Sequence, residues 1–301
     1  MTVGHAVEFF EDPRAFLDVA ADSLAVDPVV SSVVSTVSAR WARSHDAGEV
    51  PEVNHPLWWA AVHDSARQVV GTAMGTAPFA PYPPFVLPMP GAAARELAAG
   101  ITNQLGPVPK GVNGALQPAR IIAEELAEAQ SGRVLVHEHL RLFEIEHIEW
   151  PQRPAGFLRL ARPDEAELAL SWFQAFNADA DAQAGRVPEP GQGEHFTTED
   201  MAERIYGGRL WFWVGEDDTP VHLTGANVTT YGVNRIGPVY TPPERRGHGY
   251  ASRAVAEVSG IFLDQGVRVC LFTDQANPVS NGIYQAIGYR RVVDMVNLRI
   301  E

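Results

Sequence analysis

The chain has 301 residues, enough for about two domains, and its 46% hydrophobic and 9% aromatic content can build real cores, which excludes a disordered protein. Its 23 Lys+Arg against 37 Asp+Glu give a formal charge of -14, so nucleic acid and anionic membrane are excluded as general partners, while a small amine would be attracted. A single cysteine, Cys270, excludes an internal disulfide and a cysteine-based metal site, and no metal centre is expected.

The first residues, Met1 to His5, lack the basic and then apolar pattern of a signal peptide, and no run of about 18 apolar residues could span a bilayer, so a cytoplasmic protein is expected. Residues 69–76 read as a strand. A proline-rich stretch, 77–90, with Phe79, Tyr82 and Phe85, reads as a rigid loop, with a lid or interdomain tie as the functional alternative. A helical run covers 118–130, a strand follows near 133–136, and another strand-like run covers 140–148. Pro151 and Pro154 bracket the segment taken as the domain boundary, dividing the chain into 1–150 and 151–301.

Past the boundary, residues 156–160 start a new strand, and Pro163, Asp164 and Glu165 open a helix that runs through Leu168, Trp172, Phe173 and Phe176. Residues 177–196, rich in Ala, Gly, Pro and acids, read as a loop. Residues 210–214 and 221–230 flank a turn and read as a hairpin. Next comes a half-buried strand carrying Ile236, Val239 and Tyr240, ended by Pro242 and Pro243, which lack N–H donors. Gly247 and Gly249 then let the backbone turn sharply, Ala251 keeps the next contact small, and a helix starts at once. The unpartnered N–H groups and positive dipole end of such a helix favour a phosphate or pyrophosphate. A buried strand over 267–273 precedes Asn277 and a helix opened by Pro278. In that helix Ser280 and Tyr284, four apart, share a face, and Gly288 is a natural stop. A terminal strand follows.

Arg246-x-x-Gly249-x-Ala251, preceded by Val239-Tyr240-Thr241, resembles the acetyl-CoA signature of the GNAT N-acetyltransferases. A second match, Asn277 followed by Tyr284 and Gly288-Tyr289, resembles that family's passage after its fifth strand, and the element order from 156 onward is the family's. The first half repeats the plan in worn form, without the Arg-x-x-Gly-x-Ala spacing before its helix and without the Asn-then-Tyr helix. The resemblance implies an α/β (α+β) protein with two GNAT-like domains in tandem, each a mixed, mostly antiparallel twisted sheet flanked by helices. It implies a degenerate domain at 1–150 and a coenzyme-binding one at 151–301.

What the resemblance implies for chemistry is specific. Acetyl-CoA would be the acyl donor, its pantetheine paired with the free backbone of Val239, Tyr240 and Thr241. Its pyrophosphate would sit on the N–H groups of Arg246, Gly247, His248, Gly249, Tyr250 and Ala251, with Arg245 or Arg253 toward the adenosine 3′-phosphate. Asn277 would hold the pantetheine arm beside Ser280, and Tyr284, protonated at neutral pH, would donate to the departing thiolate. Residues 233–241 contain no carboxylate and no histidine, so the general base stays open among Asp179, Glu194, His195 and the remote Glu301. The implied function is transfer of an acetyl group to a small amine in a ternary complex, by a monomer or homodimer. The alternatives are a non-catalytic acyl-CoA sensor, which would not need Tyr284, and a cysteine acyl carrier, which a buried Cys270 disfavours.

Overall fold

The structure, a computed structural model, describes residues 4–48, 55–78, 80–183 and 196–301. Its contacts divide the chain into two units, one of residues 1–141 with 293–301 and one of 142–292. The division falls upstream of the proline-bracketed segment, and the last residues of the chain belong to the first unit.

In the first unit, β1 (Ala6–Phe10), β2 (Trp58–His63) and β3 (Val69–Gly75) form an antiparallel run. The sheet continues through β4 (Phe85–Val86), β5 (Gly111–Ala115), the final strand β12 (Arg290–Ile300) and β6 (Val134–Ile145), in the order β1-β2-β3-β4-β5-β12-β6. The proline-rich stretch therefore contributes a strand, β4, which pairs with β3 and β5. Two separately expected strands, 133–136 and 140–148, are one continuous β6.

One sheet face is covered by α3 (Gly91–Gln104) and α4 (Leu116–Ala129), which bury Leu97, Ile101, Ile122 and Leu126. On the other, α1 (Pro13–Val26) buries Phe16 and Leu24 against Trp59 and Met74. There α2 (Ser32–Asp46) supplies Ser38, whose Oγ accepts from Trp59 Nε1 at 2.9 Å. Each such side chain removed from water contributes about 1.5–3 kcal/mol. After β5 the chain enters α4 directly, with Ala115 as N-cap and no glycine turn.

The second unit has the order β6-β11-β10-β9-β8-β7, with β7 (Phe157–Leu160), β8 (Leu210–Val214), β9 (Pro220–Ala226), β10 (Val233–Tyr240) and β11 (Arg268–Asp274). Strands β7 to β10 are antiparallel, and β10 pairs with β11 in parallel. Side chains alternate along β8: Leu210 and Phe212 face one layer and Trp211 faces the other. The first layer is α5 (Ala166–Gln183) and α6 (Thr198–Tyr206), packing Ala169, Phe173 and Met201 on Leu223 and Tyr240. The second is α7 (Tyr250–Leu263) and α8 (Pro278–Ala286), packing Val255, Val258 and Ile287 on Phe143, Ile236, Val269 and Leu271.

Of the segment read as a loop over 177–196, residues up to Gln183 are helical as the end of α5 and 184–195 lie outside the described residues; α6 was not expected. The start of α6 is a capping box: Asp200 N donates to Thr197 Oγ1 at 3.2 Å, and Thr197 N donates to Asp200 Oδ2 at 2.7 Å.

Candidate coenzyme and acyl-transfer site

Strands β10 and β11 are hydrogen-bonded over only three residues each, Val233 to Arg235 against Arg268 to Cys270. Beyond that point both continue, to Tyr240 and Asp274, without pairing to each other. On its other side β10 meets β9 with a bulge between Ile236 and Val239. The parted strands leave backbone groups of β10 available on one edge.

At the end of β10 the sequence does what its glycines require. Gly247 and Gly249 both have φ +80°, the left-handed region, and a Cβ built on either would meet nothing within 4 Å, so conformation rather than crowding selects glycine. Gly249 is the N-cap of α7 and supplies no side-chain cap. Among the described residues, the backbone N–H groups of 247 to 252 make no hydrogen bond, and the first helical bond runs from Arg253 N to Gly249 O at 3.1 Å. Several unsatisfied donors at one helix start, with its dipole behind them, form an anion cradle.

Side chains brace the turn. Arg246 Nε donates to the Thr241 carbonyl at 3.0 Å while its Nη2 pairs with Asp179 of α5. His248 Nδ1 donates to the Arg246 carbonyl at 2.8 Å, and its ring stacks on Tyr250. Beneath Thr241 lies His222 of β9, fully buried, with Nδ1 at 2.7 Å from Thr241 Oγ1 and Nε2 at 2.8 Å from Thr224 Oγ1. Burial without a carboxylate partner depresses its pKa to about 3, so the imidazole is neutral and can donate to one threonine and accept from the other.

Helix α8 supplies the facing wall. Asn277 is its N-cap, its Oδ1 accepting from Ser280 N at 3.0 Å, and Pro278 takes the first helical position. One turn on, Tyr284 is 7% exposed, packed edge-on to Tyr289, whose hydroxyl is 2.9 Å from Ser259 Oγ. Desolvation pushes the Tyr284 pKa well up, and its hydroxyl makes no hydrogen bond among the described residues.

These elements enclose a cavity of about 570 Å³ lined by Val239, Tyr240, Thr241, Arg246, Gly247, His248, Gly249, Tyr250, Ala251, Asn277, Ser280 and Tyr284, all expected at the site. Arg245, Phe176, Asp179 and Ile283 line it as well. Arg253 does not; it pairs with Glu257 at 2.7 Å and lies over the Trp150 ring. Of the candidate bases, Asp179 is engaged by Arg246. Glu194 and His195 lie outside the described residues. Glu301 belongs to the first unit, its carboxylate held by Arg133 at 3.0 Å. Cys270 is fully buried. A larger, shallower groove of about 860 Å³, lined by Trp150, Leu158, Trp211 and Ile261, has no glycine turn and no helix start.

Residues 216–299 match the family described as FR47-like protein. No curated relative matches the sequence. Among solved structures, a Drosophila protein aligns with TM-score 0.65 at 13% identity over 99% of both chains. A tandem GNAT protein from the clavulanic acid biosynthesis pathway aligns with TM-score 0.56 at 14% identity over 98% of both. A GCN5-related N-acetyltransferase from Sphaerobacter thermophilus aligns with TM-score 0.56 at 16% identity, over 98% of this chain and 95% of that one. No helix among the described residues is long and apolar enough to cross a membrane. The chain thus carries an FR47-like segment in its second half and shares the fold of tandem GNAT proteins along its whole length.

Proposed function

We propose that the chain is an acyl-CoA-dependent N-acyltransferase that moves an acetyl group from acetyl-CoA to a small amine by direct transfer in a ternary complex. The observation that carries this reading is the convergence on one cavity of a left-handed glycine turn, the unsatisfied N–H groups of α7, the unpaired edge of β10 and the hydroxyl-bearing Tyr284. The N–H groups of residues 247 to 252 fit a pyrophosphate, and the unpaired edge of Val239 to Thr241 fits the amides of a pantetheine arm.

Chemically, the amine nitrogen bonds to the thioester carbonyl carbon and gives up one proton to water, the carbon–sulfur bond breaks, and the sulfur leaves as a thiolate that must be protonated. Tyr284 is suited to that step. Its raised pKa keeps the proton on oxygen at neutral pH, and its hydroxyl is free to donate. His222 does not titrate in this range and acts by fixing the Thr241 hydroxyl at the cavity floor. The first unit, with α4 following β5 directly, offers no equivalent turn, so one coenzyme per chain, held by the C-terminal half, is the expected stoichiometry. A non-catalytic sensor would use the same cradle, and the presence of Tyr284 in the cavity favours the enzyme.

Calorimetry with acetyl-CoA, followed by thiol release in the presence of candidate amines, tests the proposal. Binding at one site with amine-dependent thiol release is expected. Binding without release from any amine would favour the sensor.

A further inference from the structure

The point where β10 and β11 part carries a second feature. Arg235, opposite Cys270, is the last β10 residue paired to β11. Its neighbour Ile236 and Cys270's neighbour Leu271 both pack under α7, so by strand alternation Arg235 and Cys270 face the other layer, the one carrying α5, α6 and Tyr240. Arg235 is partly exposed, and its Nη1 is shut off from solvent and has no hydrogen-bond partner. Its side chain makes no hydrogen bond and no ion pair with any described residue.

Several other arginines of this unit are paired to carboxylates. Arg159 is held by Glu165 and Asp218, Arg268 by Glu144, Arg253 by Glu257 and Arg246 by Asp179. A guanidinium stays charged at neutral pH, and a buried charge without a partner is a large destabilising feature. Burial lowers the pKa of Arg235, and no carboxylate among its neighbours offsets this. A fully solvated arginine would show every nitrogen to water; this one keeps Nη1 sheltered and unpaired, with the rest of its planar donor fork left to meet an oxygen of an anion.

Resting on the acyltransferase reading, we infer that the amine acceptor carries an oxyanion, carboxylate or phosphoryl, which Arg235 receives on the α5/α6 face of the sheet where β10 and β11 part. The acceptor nitrogen would then lie toward the cavity and its anionic end on the guanidinium. Arg235 would thereby select amines with an oxyanion over amines without one.

Two measurements test this. Thermal unfolding of the full chain in acetate, phosphate or chloride at equal ionic strength is compared for the wild type, Arg235→Met and Arg235→Lys. The inference expects acetate or phosphate to raise the wild-type Tm above its value in chloride, with no such gain in Arg235→Met. It also expects Arg235→Met in chloride to be at least as stable as the wild type, because it removes a charge whose Nη1 is buried without a partner. In the second measurement, thiol release from acetyl-CoA is followed with α-amino acids against their α-carboxamides and with O-phosphoethanolamine against ethanolamine.

The anionic member of one pair should be preferred by about tenfold to a hundredfold in kcat/KM, falling to near parity in Arg235→Met and partly kept in Arg235→Lys, with acetyl-CoA affinity unchanged. The favoured pair distinguishes carboxylate from phosphoryl. Equal use of neutral and anionic amines, or no anion-specific gain in wild-type Tm, overturns the inference. If acetyl-CoA does not bind but the anion-dependent gain is present and lost in Arg235→Met, the acyltransferase reading fails and the anion site stands.

Discussion

Replacing His222 by glutamine should flatten the acid limb of the stability curve. In the folded chain the imidazole is fully buried between Thr224 and Thr241 with its pKa depressed to about 3, against 6.5 for a free side chain. A depressed folded pKa means that the unfolded state binds the extra proton. The stabilisation is therefore complete above pH 6.5 and is lost as the pH falls toward 3. Between pH 7.5 and 5 this one group should remove about 2 kcal/mol, and by pH 4 about 3 kcal/mol, at 1.36 kcal/mol per unit of difference. At pH 5 the figure is set almost wholly by protonation of the unfolded chain, since the buried ring there is still neutral. Glutamine keeps a donor and an acceptor but has no proton to gain. Urea unfolding at pH 7.5 and pH 5 should thus show a drop for the wild type about 2 kcal/mol larger than for His222→Gln. Equal drops in both proteins would refute the claim that His222 is held neutral beneath the cavity.

Tyr284→Phe should lower turnover by about a hundredfold or more while leaving acetyl-CoA affinity nearly unchanged, since it removes a proton donor and keeps the packing; an unchanged rate would remove the assignment. Gly249→Ala forces a Cβ into φ +80°, so chemical denaturation should show a loss of about 1–2 kcal/mol, with weaker coenzyme binding; equal stability would mean the turn is not fixed by its backbone. Asn277→Ala removes the cap of α8 and should cost about 1 kcal/mol, with a larger effect on turnover than on coenzyme affinity because Tyr284 rides on that helix. A turnover equal to the wild type's would show that the cap does not position the tyrosine.

The site was legible largely because its requirements are local. A left-handed turn shows itself as Gly247 and Gly249, a helix start as Pro278 after Asn277, and a shared face as the four-residue spacing from Ser280 to Tyr284. Each of those is dictated by a few neighbouring residues. What escaped depends on partners distant in sequence. His222 reads as one more polar residue in an alternating strand, and only the tertiary fold brings Thr241 beneath the turn to meet it. Arg235 likewise looks like a solvated strand arginine until β11 is laid beside it. The start of α6 was available in principle, since Thr197 and Asp200 have the capping-box spacing, but the Ala, Gly and Pro content upstream masked it. The continuity of β6 and the membership of the final strand in the first unit follow from pairing choices that local propensity does not encode.

The most direct test is isothermal calorimetry of the purified chain with acetyl-CoA, run beside Gly249→Trp, whose side chain would project from a position with open space around it and occupy the turn where the pyrophosphate is expected. The account predicts one acetyl-CoA bound per wild-type chain and none by the variant. No binding to the wild type, two molecules per chain, or undiminished binding to Gly249→Trp would contradict it.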